Sequence, residues 1–140
     1  MISKMDRPRI DVSIIIPTYG RPTLLCEAID SCVIQATETS LEIIVVDDCS
    51  PDSIEPVVRN LPVRFHRLDV NQGSSAARNV GISMARGRYL KFLDSDDVLL
   101  AGSLAAEVAL ADARNADIVI CGWRNVDLYP DGSSLVTSTG

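Results

Sequence analysis

The acidic run Asp94-Ser95-Asp96-Asp97 is the segment of the sequence whose residue types and spacing most strongly suggest a binding or catalytic site. It follows 88–93, a run typical of a β-strand. Three carboxylates at a strand end repel one another unless a cation or protonation neutralises them. A second pair, Asp47-Asp48, ends another apolar run at 41–46. We therefore expect a site for a divalent metal and an anionic ligand. The alternative is exposed turn aspartates that cap the following helices.

Each acidic group suits a particular role in such a site. Mg²⁺ and Mn²⁺ prefer oxygen ligands and are often held by one or two carboxylates together with phosphate oxygens and water. We expect Asp96 or Asp97 to be the metal ligand, and Asp94 to orient it or to bond a ribose. Asp48 can accept hydrogen bonds from the imide N–H of uracil or from ribose hydroxyls.

Other residues near the predicted strand ends suit a nucleotide. Tyr19 offers an aromatic face for a base, although a tyrosine that only packs the loop is an equal alternative. A helix that starts near Ser74 points free N–H groups at the same edge, where a diphosphate binds well. Arg78 lies one turn into that helix and can reach a phosphate or base, unless it is simply exposed. Arg21 has a weaker claim, because most loop arginines are only solvated.

Composition excludes several function classes. The chain has 140 residues, 46% of them hydrophobic, which is enough for one domain with a core. Its net charge is −6 and it has no long basic run, so we expect no nucleic-acid partner. Four cysteines without a Cys-x-x-Cys pair, and one histidine, argue against structural zinc. Without a signal peptide or a long apolar run, we expect a cytoplasmic protein, and leave open attachment to the inner face of the membrane.

Strand and helix patterns alternate along most of the chain. Strands are expected at 12–16, 41–46, 63–68, 89–93 and 117–121, with helical patterns between them and a hairpin over 123–136. Apolar strands separated by helices predict an α/β fold, a mostly parallel sheet with helices on both faces. Ligands of such sheets bind outside the carboxyl ends of the strands. The loops after 16, 46 and 93 should therefore share one edge.

Four segments together resemble family 2 glycosyltransferases. They are Val-Ser-Ile-Ile-Ile-Pro-Thr-Tyr at 12–19, Ile-Ile-Val-Val-Asp-Asp-Cys-Ser at 43–50, Asn-Gln-Gly-Ser-Ser-Ala-Ala-Arg-Asn at 71–79 and Phe-Leu-Asp-Ser-Asp-Asp at 92–97. The resemblance runs from about 11 to about 122 and implies the GT-A fold, a Rossmann-like nucleotide-binding domain. It also implies a nucleotide-diphosphate sugar donor, most often a UDP-sugar, with Mg²⁺ or Mn²⁺. Transfer to an acceptor hydroxyl would invert the anomeric carbon.

The resemblance also assigns roles to matching residues. Pro17 and Tyr19 would line the nucleobase pocket, Asp48 would bond the base, and Arg78 would lie beside it. Asp94, Asp96 and Asp97 would match the family's Asp-x-Asp element, with Asp96 on ribose or metal and Asp97 sharing the metal. The sequence departs from the family at Gly20, where Asn is common, at Cys49, where Gly is common, and in lacking a proline soon after Asp97.

Length is the larger departure, because family members continue into an acceptor-binding half that supplies the general base. We expect a tail at 1–10, a donor-binding domain at 11–122, and at 123–140 the start of a segment leading to that half. The catalytic base is then expected beyond Gly140, and the sugar and the saccharide or lipid-linked acceptor stay open. Truncation before the acceptor-binding half predicts an exposed apolar surface and self-association.

Two other functions compete with this one. A non-catalytic nucleotide-sugar-binding or assembly module would share the donor site and lack turnover. A signalling receiver domain would also have an acidic pocket at strand ends. That class needs an acidic pair after the first strand and a lysine after the fifth, whereas this sequence has Pro17-Thr18 and Cys121-Gly122 there.

Overall fold

The computed structural model describes residues 9–131 and 133–140. The described residues up to Ala105 form one compact unit, and Ala106–Gly140 form a second. The predicted domain boundaries at 10 and 122 stay predictions. Among the described residues, no helix combines the length and apolar character needed to cross a bilayer.

A four-stranded parallel sheet organises the first unit. Its strands are β1 (Val12–Thr18), β2 (Leu41–Asp47), β3 (Arg64–Arg67) and β4 (Tyr89–Phe92), in the order β3-β2-β1-β4. The helices are α1 (Pro22–Gln35), α2 (Glu55–Val58), α3 (Ser74–Met84) and α4 (Ser103–Arg114), which continues into the second unit. The predicted mostly parallel α/β sheet is confirmed.

Both faces of the central strands are covered. All seven residues of β1 are buried. On one face, Ala77 of α3 packs against Ile44 and Val46 of β2. Side chains alternate along a strand, so Ile43 and Val45, which are also buried, point to the opposite face. Near-continuous apolar strands are therefore explained by burial on two sides.

Glycines let the chain approach β1 closely. A Cβ on Gly81 of α3 would lie 2.4 Å from Cγ2 of Ile15, and one on Gly87 would lie 2.4 Å from the Ser13 nitrogen. Neither distance leaves room for a side chain. Ala77 and Gly81 lie on the buried face of α3.

The strand order reverses beside β1. The chain moves from β1 to β2 and β3 on one side, then returns to β4 on the other. The last β1–β4 pair is Ile15 with Phe92, whereas the pairing with β2 continues to Thr18. A crevice at the carboxyl edge follows from this mismatch, at the point where such sheets bind ligands.

Two predicted elements differ from the structure. Strand β1 does not stop before Pro17 but continues to Thr18. Proline lacks an N–H, and here it is tolerated because β4 no longer pairs with β1 at that position. The predicted fifth strand at 117–121 is wrong: these residues belong to no strand, and Ile118 and Ile120 are exposed. Their alternation resembles a strand, but they pair with none in the described chain.

The second unit contains the predicted hairpin. Strands β5 (Arg124–Leu128) and β6 (Ser134–Thr139) pair antiparallel, with an irregular register between Asn125 and Val126. Trp123 and Gly140 exchange backbone hydrogen bonds of 2.7 and 3.0 Å at the open end of the pair.

Candidate functional site

An open cleft of about 280 Å³ lies at the carboxyl edge of the sheet. It brings together residues from the end of β1, from the loops after β1, β2 and β4, and from the start of α3. All six residues predicted to bind a nucleotide line it, namely Pro17, Tyr19, Asp48, Arg78, Asp94 and Asp96. Thr18, Arg21, Ser74 and Ser95 line it as well. Asp97, predicted to share a metal, is absent from the lining.

Asp48 connects two walls of the cleft. Its carboxylate is almost fully buried and accepts hydrogen bonds from the backbone N–H groups of Gln72 (2.7 Å) and Gly73 (2.8 Å). Its own N–H donates to the Thr18 carbonyl at 2.8 Å. Asp48 therefore fixes the loop that leads into α3. A carboxylate has about four lone-pair sites, so two acceptor positions remain for a ligand.

Asp47 has a separate structural role that the sequence reading did not assign. It is fully buried, and its Oδ1 accepts hydrogen bonds from the N–H (3.0 Å) and the hydroxyl (2.5 Å) of Ser50. Its Oδ2 accepts from Nη1 of Arg67 at 2.5 Å. Adjacent strand residues point to opposite faces, a signal that could have separated the two aspartates.

Ser50 links buried Asp47 to the loop after β1 through hydrogen bonds. Its hydroxyl oxygen accepts a hydrogen bond from the Gly20 N–H at 2.6 Å, while Thr18 Oγ1 donates to the Gly20 carbonyl at 3.2 Å. Gly20 and Arg21 both have left-handed backbone conformations, with φ of 66° and 57°. This turn starts α1 and directs the Arg21 side chain into the cleft.

Two arginine–aspartate pairs lie in the cleft. Arg21 Nη1 donates to Asp96 Oδ2 at 2.6 Å, and Arg78 Nη2 donates to Asp94 Oδ1 at 2.6 Å. Arg78 also donates to the Ser74 hydroxyl at 3.2 Å. From the sequence alone, Arg21 was the weaker candidate of the two arginines. The structure places it in the cleft, because the left-handed backbone at Arg21 lets its side chain reach Asp96. Arginines therefore neutralise two of the three clustered carboxylates.

Asp97 is the remaining carboxylate of the cluster. Burial raises its pKa above the usual range, and the negative charges of Asp96 and Asp94 raise it further. A nearby cation would relieve both effects. Within the described residues, no three His, Cys, Asp or Glu side chains converge as a metal-binding group. The oxygen donors thus fit a hard divalent cation that takes other ligands from phosphate and water, and do not fit a site closed by protein alone.

Tyr19 and Pro17 form the side of the cleft that suits a base. The Tyr19 side chain is half exposed, whereas Pro17 is buried at the end of β1. An exposed aromatic face beside a buried wall can stack a planar ring.

Comparison with known proteins identifies the family. The family model described as Glycosyl transferase family 2 matches residues 13–137. The chain belongs to glycosyl transferase family 2. This family 2 glycosyltransferase is 39% identical over 138 residues to the succinoglycan biosynthesis protein ExoO of Rhizobium meliloti, covering 94% of the chain and 39% of that relative.

Solved structures match the fold of this family 2 glycosyltransferase. Staphylococcus aureus TarS 1–349 in complex with UDP-GlcNAc is 34% identical with a TM-score of 0.68, over 77% of the chain and 33% of TarS 1–349. The mannosyltransferase PcManGT of Pyrobaculum calidifontis, in complex with GDP-Man and Mn²⁺, is 26% identical with a TM-score of 0.67, over 74% of the chain and 33% of that protein. The predicted GT-A fold is confirmed. The chain spans less than half the length of these relatives.

Proposed function

We propose that this family 2 glycosyltransferase binds a nucleotide-diphosphate sugar, most simply a UDP-sugar, in the cleft together with Mg²⁺ or Mn²⁺. The sugar is then transferred to an acceptor hydroxyl with inversion at the anomeric carbon. One observation carries this proposal: the six residues singled out for a nucleotide come from four separate segments and line a single cleft. Complexes of similar proteins with UDP-GlcNAc and with GDP-Man and Mn²⁺ support it.

The cleft offers a distinct partner for each part of the donor. Tyr19 stacks against the base with Pro17 behind it, and Asp48 accepts the imide N–H. The fixed position of Asp48 favours this role, because hydrogen bonds to Gln72 and Gly73 hold its carboxylate. A preorganised acceptor favours a base that presents an N–H at this position, as uracil does, because a base without a donor there forms no hydrogen bond with Asp48.

Arg78 and the start of α3 suit the phosphates and ribose. The first N–H groups of the helix and the guanidinium of Arg78 both favour negative charge. Asp94, which pairs with Arg78 at 2.6 Å, is placed to accept ribose hydroxyls.

Asp96 and Asp97 are the proposed metal ligands. A bound divalent metal would stabilise the negative charge that develops on the departing diphosphate. The carboxylates hold charge at that position and leave coordination sites open for phosphate oxygens. The general base stays a prediction for a residue after Gly140, and none of the cleft carboxylates receives that role.

Isothermal titration calorimetry with UDP tests the proposal. We expect UDP binding in Mn²⁺ or Mg²⁺ that is lost in excess chelator. Asp96→Asn should weaken metal-dependent UDP binding by at least about tenfold, the cost typical of disturbing a metal site. Asp52→Asn is the matched control, because Asp52 is exposed and lies outside the cleft lining. Metal-independent binding, or no binding by folded protein, contradicts the proposal.

Donor hydrolysis distinguishes an enzyme from a module that only binds. We expect slow, metal-dependent release of UDP from UDP-GlcNAc, measured by chromatography. If Asp96→Asn hydrolyses the donor as fast as the unaltered chain, Asp96 has no part in the reaction.

A further inference from the structure

Arg21 occupies Asp96, the carboxylate that the proposed function gives to the metal. The Arg21 Nη1 to Asp96 Oδ2 distance is 2.6 Å, and the two side chains are 60% and 46% exposed. Both residues line the cleft, although 75 positions separate them in sequence. In this state a positive charge already lies where a metal would approach.

The backbone of Arg21 is held in place from both sides. On the preceding residue, the Gly20 N–H donates to Ser50 Oγ at 2.6 Å, and Ser50 is anchored to buried Asp47. On Arg21 itself, the carbonyl accepts the Leu25 N–H at 3.1 Å in the first turn of α1. Only the long side chain is left to move. Arg21 can therefore leave Asp96 by rotating about its side-chain bonds, without opening the fold.

We propose that Arg21 is a resident counter-ion that competes with the divalent metal for Asp96. The inference rests on the proposed function, because it requires the metal to use this carboxylate. A guanidinium and a divalent cation repel each other at one carboxylate, so metal binding in the empty cleft requires Arg21 to withdraw. The donor's diphosphate brings negative charge that offsets both cations, which couples metal binding to donor binding. By linkage, each then raises the affinity of the other.

The size of the competition follows from the exposure of the pair. Exposed ion pairs are weak because water screens them, and removing this one should raise metal affinity about two- to fivefold. When the diphosphate is bound, it neutralises Arg21, so the same substitution should change metal affinity less than about twofold.

Electron paramagnetic resonance of free Mn²⁺ tests the competition without measuring activity. The 140-residue chain and R21Q are titrated with Mn²⁺, first without nucleotide and then with saturating UDP. Glutamine keeps most of the length of the arginine side chain, and as a residue with a Cβ it has a similar conformational cost at the left-handed position of Arg21. R59Q is the charge-matched control, because Arg59 is exposed at the end of α2 and outside the cleft. R21K keeps the charge and should restore part of the competition.

We expect R21Q to bind Mn²⁺ about two- to fivefold more tightly than the unaltered chain without nucleotide, with R59Q unchanged. Equal or weaker binding by R21Q, or an equal gain in R59Q, overturns the inference. Either result leaves the proposed function standing if UDP still binds the unaltered chain only with Mn²⁺. Failure of the proposed function is a different result, in which the folded, unaltered chain binds no UDP at any Mn²⁺ concentration.

Discussion

Asp48→Asn tests whether the cleft wall is held by a carboxylate. In the structure, one oxygen of Asp48 accepts the Gln72 N–H at 2.7 Å and the other accepts the Gly73 N–H at 2.8 Å. Asparagine has the same shape, but only one acceptor oxygen. Its NH₂ group would face a backbone N–H, so one hydrogen bond is lost and one donor at a nearly buried site is left unsatisfied.

The cost can be estimated from these two contacts. A hydrogen bond to a charged group contributes about 1.5–3 kcal/mol, and an unsatisfied buried donor costs about 1–3 kcal/mol. Gln72 is exposed and Gly73 partly so, and water therefore recovers some of this loss. We expect the free energy of opening the 72–73 loop to fall by about 2 kcal/mol, which corresponds to about thirtyfold faster amide exchange.

Hydrogen exchange followed by NMR gives the exchange rate of each amide, which reports its free energy of opening. In the unaltered chain, the Gln72 and Gly73 amides should be protected despite their loop position. In Asp48→Asn they should exchange about thirtyfold faster, while amides at the centre of β1 change little. Asp52→Asn, which removes the same charge from an exposed turn, should leave both amides protected. Unprotected amides in the unaltered chain, or equal protection in Asp48→Asn, would refute this account of Asp48.

Three further substitutions test other parts of the structure. Ser50→Ala removes hydrogen bonds to Asp47 and Gly20 at a residue 1% exposed, so urea unfolding should show a loss of about 2–3 kcal/mol; a loss below about 0.5 kcal/mol contradicts the network. Gly81→Ala should lower the melting temperature, because overpacking against Ile15 costs about 1–3 kcal/mol and helix propensity returns only about 1; a raised melting temperature would be inconsistent with the 2.4 Å approach. Burial opposes ionisation of Glu42, but hydrogen bonds from Ser13, Arg64 and the Arg86 N–H outweigh it and lower its pKa. Because the pKa of Glu42 is lower in the folded state, its ionised carboxylate stabilises the fold at any pH above its unfolded pKa of about 4.3. This stabilisation is lost as the pH falls through the folded pKa. The stability advantage of the unaltered chain over Glu42→Gln should therefore shrink between pH 6 and 3 in urea titrations, and an advantage independent of pH would contradict this reasoning.

The sequence predicted the fold well where one periodic pattern decides the outcome. The four parallel strands follow from apolar runs such as 12–16 and 41–46. The strand predicted at 117–121 was wrong, because the alternation of apolar residues does not show whether a neighbouring strand is available for pairing.

The sequence predicted which residues line the candidate site, but not the contacts that those residues make with one another. Parallel strands bring their carboxyl ends to one edge, so Tyr19, Asp48 and Asp96 were expected to converge. The pairing of Arg21 with Asp96 depends on two successive left-handed residues, which the spacing of residue types does not encode. The backbone partners of Asp48 likewise depend on how loops meet in three dimensions.

NMR chemical-shift mapping with UDP and Mg²⁺ shows whether residues from separate segments of the chain form one donor site. We predict the largest shifts at the backbone amides of 18–21, 48, 72–78 and 94–97. Mg²⁺ without UDP should cause only small changes, confined to 94–97. Large shifts elsewhere on the sheet, or UDP shifts that leave 48 and 96 unchanged, would mean that these segments do not share one donor site.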